Sequence, residues 1–136
     1  MNLSKATAKQ VFCTFIFSIL IASCNFYKTE PKDPEFTKDK ATISGELRNM
    51  VNCGGINIHG YTTINNGKAG NTELYIEFMN PVNADEDQNE LGKKIATHLR
   101  RDLKDANEYD SYKVAFIKKT SFTTVTRNYV YTKDKL

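Results

Sequence analysis

Ile56-Asn57-Ile58-His59-Gly60-Tyr61-Thr62-Thr63-Ile64 and, seven residues later, Thr72-Glu73-Leu74-Tyr75-Ile76-Glu77-Phe78 decide the fold. Each stretch alternates apolar and polar residues, the pattern of a strand with one face buried and one face wet. The strongest apolar residues fall on even numbers in both. A two-residue turn at Asn66-Gly67 would by itself pair even positions with odd ones and send Leu74 and Ile76 to the face opposite Ile56 and Ile58. A longer or bulged connection is therefore expected somewhere between Asn65 and Asn71. The outer face of this hairpin then carries His59, Tyr61 and Thr63 beside Glu73, Tyr75 and Glu77.

On the N-terminal side, Ile43, Leu47, Met50 and Val51 recur at the spacing of one buried stripe and predict a helix over about Lys38–Asn52. Gly54-Gly55 is expected to stop it. On the C-terminal side Pro81 ends the second strand, and Asp85-Glu86-Asp87 supply the acidic start that suits a helix N-terminus. Leu91, Ile95, Leu99 and Leu103 carry that helix to about Ala106, with Arg100, Arg101 and Lys104 near its end. Val114-Ala115-Phe116-Ile117 is apolar on both faces, as an interior strand should be. A turn at Lys118–Ser121 leads into a β-rich run from Phe122 to Tyr131. The expected fold is α+β, ordered helix, strand, strand, helix, strand, strand. Both helices would pack on one face of a four-stranded, mostly antiparallel sheet.

The leader has a different character. Lys5 and Lys9 precede the apolar run Val11–Ile21, and Ala22-Ser23-Cys24 follow, in the order of a secretory signal. The run is too short for the roughly 20 apolar residues that span a bilayer. Leu20-Ile21-Ala22-Ser23-Cys24 resembles the lipobox of bacterial lipoproteins, with an aliphatic residue three places before the cysteine and small residues before the cut. The resemblance implies cleavage between Ser23 and Cys24 and a diacylglycerol thioether on Cys24, with further acylation of the freed amine. Each buried methylene adds about 0.8 kcal/mol, so two or three chains hold firmly. Asn25 stands where an Asp would mark inner-membrane retention in enterobacteria, so the expected address is the outer membrane, with the periplasmic side and the cell surface both open. Residues 1–23 are thus expected to be a signal peptide and 24–36 the lipidated cysteine with a flexible tether. The tether rests on Lys28–Glu35, charged and broken by Pro31 and Pro34. Residues 37–136 are expected to form a single domain.

Along Leu91–Ala96 and Leu103–Val114 the chain also looks like small lipoproteins of the Bacteroidota that carry no assigned activity, a likeness that implies fold boundaries and no catalytic residues.

Composition narrows the partners. The 136 residues carry 19 basic and 16 acidic side chains, and loss of Lys5 and Lys9 with the leader leaves 17 basic ones. A near-neutral domain lacks the basic stripe of a nucleic-acid binder, and none is expected as partner. Two histidines rule out a multi-histidine metal site. His59 with Glu77, and His98 with Asp102 one helical turn on, offer fewer ligands than zinc usually takes, so solvated polar pairs are the simpler reading. Cys53, the one thiol left free, lies at a helix C-terminus, which disfavours a thiolate and favours burial. Asp85-Glu86-Asp87 and Glu90 lack the ligand spacing of a calcium loop. Gly54-Gly55 follows a helix and so offers no anion cradle.

The expectation is a non-enzymatic, lipid-anchored envelope protein with no metal and no cofactor beyond the lipid on Cys24. It would be held to a membrane and would dock an envelope protein. The candidate surface is His59, Tyr61 and Tyr75 on the hairpin face, with Lys118 and Lys119 at a turn that could also meet anionic lipid heads. A carrier of a small apolar or lipid ligand is the alternative, and an enzyme of unassigned type the third reading.

Overall fold

In the computed structural model, residues 26–82 and 87–136 are described. The signal peptide, the cleavage site at Ser23, the lipidation site Cys24 and the acidic pair Asp85-Glu86 lie outside them. Among the described residues the elements are β1 (Tyr27–Lys32), α1 (Lys40–Met50), β2 (Gly55–Asn65), β3 (Lys68–Met79), α2 (Gln88–Asp102), β4 (Ser111–Lys119) and β5 (Thr124–Thr132), with short 3-10 turns at Ala106–Glu108 and Lys133–Lys135.

The sheet corrects the sequence expectation. It has five strands, in chain order, and it is mixed: β3 and β4 run parallel and the other three pairings are antiparallel. The first element among the described residues is a strand, not a helix. Tyr27–Lys32, expected as tether, is β1 and pairs with β2 from Tyr27 opposite Asn65 to Lys32 opposite Gly60. Its side chains give no strand signal because almost all of them are exposed. What recruits it is the open edge of β2, whose backbone groups need partners wherever water is displaced. The next residues are tied down too: Lys104 donates to the Glu35 carbonyl and Thr37 to that of Asp102.

The hairpin resolves the parity problem by a bulge. Asn66 and Gly67, both at positive φ, make a two-residue turn. The extra residue sits in the ladder at Gly70-Asn71 opposite Thr63, where the register shifts. A Cβ on Gly70 would lie 2.8 Å from the Thr63 hydroxyl, so glycine is what fits. Even residues of both strands thereby share one face.

That face is the core. Ile58, Leu74, Ile76 and Phe78 meet Tyr112, Val114 and Phe116 of β4 and Tyr131 of β5 beneath Ile43 and Leu47 of α1 and Leu91, Ile95 and Leu99 of α2. Phe78 and Phe116 stack at 5.6 Å. Asp39 caps α1 by accepting from the Thr42 amide, and Asp87 caps α2 through Asn89 and Glu90. The two glycines after α1 are not its cap: Val51 is, in an extended conformation, while Gly54 donates to the Met79 carbonyl and Gly55 opens β2.

Candidate functional site

Both helices lie on the even-numbered face, so the odd-numbered face of the sheet carries no helix among the described residues. Period-two geometry brings His59 opposite Tyr75 and Tyr61 opposite Glu73, and the parallel register places Lys113 beside Tyr75. The rings of His59 and Tyr75 meet edge to face at 5.0 Å, and the Lys113 ammonium sits 4.8 Å above the Tyr75 ring. The Tyr61 hydroxyl donates to Glu73, which also accepts from Ser111 at 3.1 Å. Burial, then the hydrogen bond to Glu73, pushes the Tyr61 phenol well above its ordinary pKa, and burial beside Glu77 raises that of Tyr75. Both hydroxyls stay protonated at neutral pH and act as donors. The structure thus joins His59, Tyr61 and Tyr75 in one patch. His59 does not take Glu77 as its partner; Asn57 does, at 3.0 Å. Glu73 lies beside Tyr61 on the outer face, as expected, whereas Lys113 and Ser111 carry no such signal, because neighbours across β3 and β4 depend on a register that chain order does not reveal.

Lys118 and Lys119 are elsewhere. They end β4, level with or beyond Met79, whereas the Tyr61 end of the patch points to the Asn66-Gly67 turn. The two ends of the sheet are about 33 Å apart, ten residues of β2 at ~3.3 Å each. Beyond the lysines, Phe122 stands 96% exposed at the turn.

A second constellation lies between the helices. His98 Nε2 is 2.8 Å from a Glu46 oxygen on α1 and 3.5 Å from Asp102 one turn further along α2. The three ligand atoms fall within 4.8 Å of one another, a spread a single ion could bridge. The cation position is already served by the chain: Lys38 reaches Glu46 at 2.7 Å and Asp102 at 3.2 Å, and Arg101 holds the other Asp102 oxygen at 3.0 Å. Asp102, 7% exposed at its side chain, is held below the usual carboxylate range by Arg101 first and Lys38 next. Two cations face two carboxylates, so the cluster is electrically complete and works as a clamp joining α1, α2 and the chain before α1. Beside it Lys93, Lys94, Thr97 and Met50 line an open groove of about 760 Å³. The one-turn spacing does bring His98 and Asp102 together, but Asp102 is buried and the pair is not the solvated one expected; Glu46 and Lys38 are remote in sequence and carry no signal that points to them.

Cys53 is half-buried against the core, and burial raises its thiol pKa, which suits an inert side chain.

No protein-family model, no curated protein and no solved structure matches this chain.

Proposed function

We propose that this chain is a lipid-anchored envelope protein whose folded part is a non-enzymatic docking module for another protein. The observation that carries the docking role is the open sheet face, where rings, an ammonium and carboxylates interlock at His59, Tyr61, Glu73, Tyr75 and Lys113. Tyrosines held rigid by their neighbours are enriched at protein interfaces, since they lose little conformational freedom on binding.

The anchoring role is supported by the residues around Cys24. In this reading the tether is short: β1 begins at Tyr27, so only Asn25 and Phe26 separate the lipidated sulfur from the sheet. That is about 10 Å of extended chain where a dozen residues would give about 40 Å. The Asn66-Gly67 end would then stand at the membrane, since Phe26 exchanges hydrogen bonds with Asn66. Lys118 and Lys119, at the far end, would be directed away from that membrane and toward whatever the module meets.

Fatty-acid labelling of the wild type and of Cys24→Ala tests the anchor, with label expected only in the former. For docking, a photo-crosslinking residue replacing Tyr75 should give an adduct with a second, different polypeptide in intact cells. The same residue replacing Lys94 on the helix side should give none. Equal adducts from both positions, or gentle solubilisation that returns no other polypeptide, would end the docking proposal.

A further inference from the structure

We infer that β5 is an interface between two copies of this chain, joined antiparallel about Asn128 into one continuous sheet. The strand reads Thr124-Val125-Thr126-Arg127-Asn128-Tyr129-Val130-Tyr131-Thr132: β-branched or aromatic at most positions, one charge, no proline. It ends the sheet, and among the described residues nothing pairs with its outer side. Five of its first five residues are exposed, and Val125 and Val130 are 51% and 57% exposed. Edges of this kind are templates for another strand unless something blunts them.

The ladder fixes which groups are on offer. Lys133 donates to the Asp110 carbonyl, and Thr120 to that of Thr123, so the odd-numbered residues of β5 exchange hydrogen bonds with β4. The N–H and C=O of Thr124, Thr126, Asn128, Val130 and Thr132 therefore point outward. A second β5 centred on Asn128 meets all of them: Thr124 faces Thr132, Thr126 faces Val130 and Asn128 faces its own copy. About ten inter-chain hydrogen bonds result.

Charge selects this register. Centred on Asn128, Arg127 of each copy stands opposite Tyr129 of the other, a cation beside an aromatic ring. Moving the centre to Arg127 sets like charges face to face, and moving it to Tyr129 shortens the ladder. The opposite edge offers no such match, since β1 contains Pro31, which has no N–H, and the charges Lys28, Glu30 and Lys32. A second copy is therefore the occupant whose sequence fits β5 position by position. This interface needs neither the lipid anchor nor the aromatic patch.

Cysteine scanning in the full chain tests it. Facing residues of a hydrogen-bonded antiparallel pair have Cα atoms about 5.5 Å apart, within disulfide reach. Asn128→Cys should give a disulfide-linked homodimer under mild oxidation. Thr126→Cys, whose copies would lie about 13 Å apart, should not. Thr126→Cys with Val130→Cys should restore the cross-link. At least about tenfold more dimer from Asn128→Cys than from Thr126→Cys is expected, with the treated wild type as blank. These side chains are exposed, and an unchanged melting curve shows that each variant folds. No dimer from Asn128→Cys, or equal dimer from Asn128→Cys and Thr126→Cys, overturns the proposal.

Discussion

The two edges of the sheet are held by different physics. β5 lies against α2: Tyr131 is 8% exposed, its hydroxyl donates to the Asn89 carbonyl at 2.7 Å, and its ring fills the space left by Gly92. β1 has no apolar anchor. Its inward ties are Lys32, which meets Glu108 and Asp105 and lies 5.5 Å from the Tyr109 ring, and the exchange between Phe26 and Asn66. The packed edge keeps a regular outer rim with a single charge, Arg127, and no proline, whereas the ionic edge carries its own protection in Pro31 and three charges. An edge stabilised by packing leaves its backbone groups available; an edge stabilised by charges and proline does not.

The sharpest break of that contrast is Tyr131→Ala. It removes the ring that ties β5 to α2 and should cost about 3–5 kcal/mol, read as a lower denaturant midpoint at unchanged slope. A loss below about 1 kcal/mol would mean that β5 is held by its backbone ladder alone. Gly60→Ala strikes the other edge. Its Cβ would come within 2.5 Å of the Lys32 carbonyl and 3.0 Å of the Tyr109 ring, so β1 or Tyr109 must shift, at about 1–3 kcal/mol. Hydrogen exchange should show protection lost across Tyr27–Lys32 and kept across β4 and β5; uniform loss would erase the distinction.

Acid should act first on the carboxylates held by cations and amides, which lie away from the β1 edge. Asp102 and Asp110 are both held below the usual carboxylate range, the first by Arg101 and Lys38, the second by the Thr72 amide and Lys133. Between the folded and the ordinary carboxylate pKa values the unfolded chain binds more protons, so stability present above about pH 4 is lost as pH falls through the folded values. Asp102→Asn should flatten that fall in thermal melts from acid to neutral pH; an unchanged slope would remove the clamp from the account. The smallest effect belongs to Tyr109→Phe. The Tyr109 hydroxyl is buried and has no hydrogen-bond partner among the described residues. Deleting it should leave stability unchanged or raise it by up to about 1 kcal/mol, and a loss of that size would reveal a partner for the hydroxyl.

The pieces legible in the sequence are those whose side chains repeat with the period of their own element. Ile58, Leu74, Ile76 and Phe78 announce their strands, and Ile43, Leu47, Leu91, Ile95 and Leu99 their helices, because burial on one face leaves a periodic trace. The even-to-even parity required a longer or bulged connection between Asn65 and Asn71, and of the two the structure uses the bulge, at Gly70-Asn71. Of the patch, His59, Tyr61 and Tyr75 were readable as outer-face residues of one hairpin. Glu73's second bond to Ser111, and Lys113 above Tyr75, were not, since both cross from β3 to the parallel β4.

By itself the chain's pattern of apolar and polar residues determined which segments have an inside and an outside, and which side chains each hairpin turns outward. Only the tertiary structure decided that Tyr27–Lys32 is a fifth strand and that β3 and β4 lie parallel. Backbone hydrogen bonding at a sheet edge is blind to side-chain type, so β1 needed no hydrophobic alternation to be recruited. Likewise the partner a strand finds through a helical crossover depends on how the helix packs, which no local spacing records.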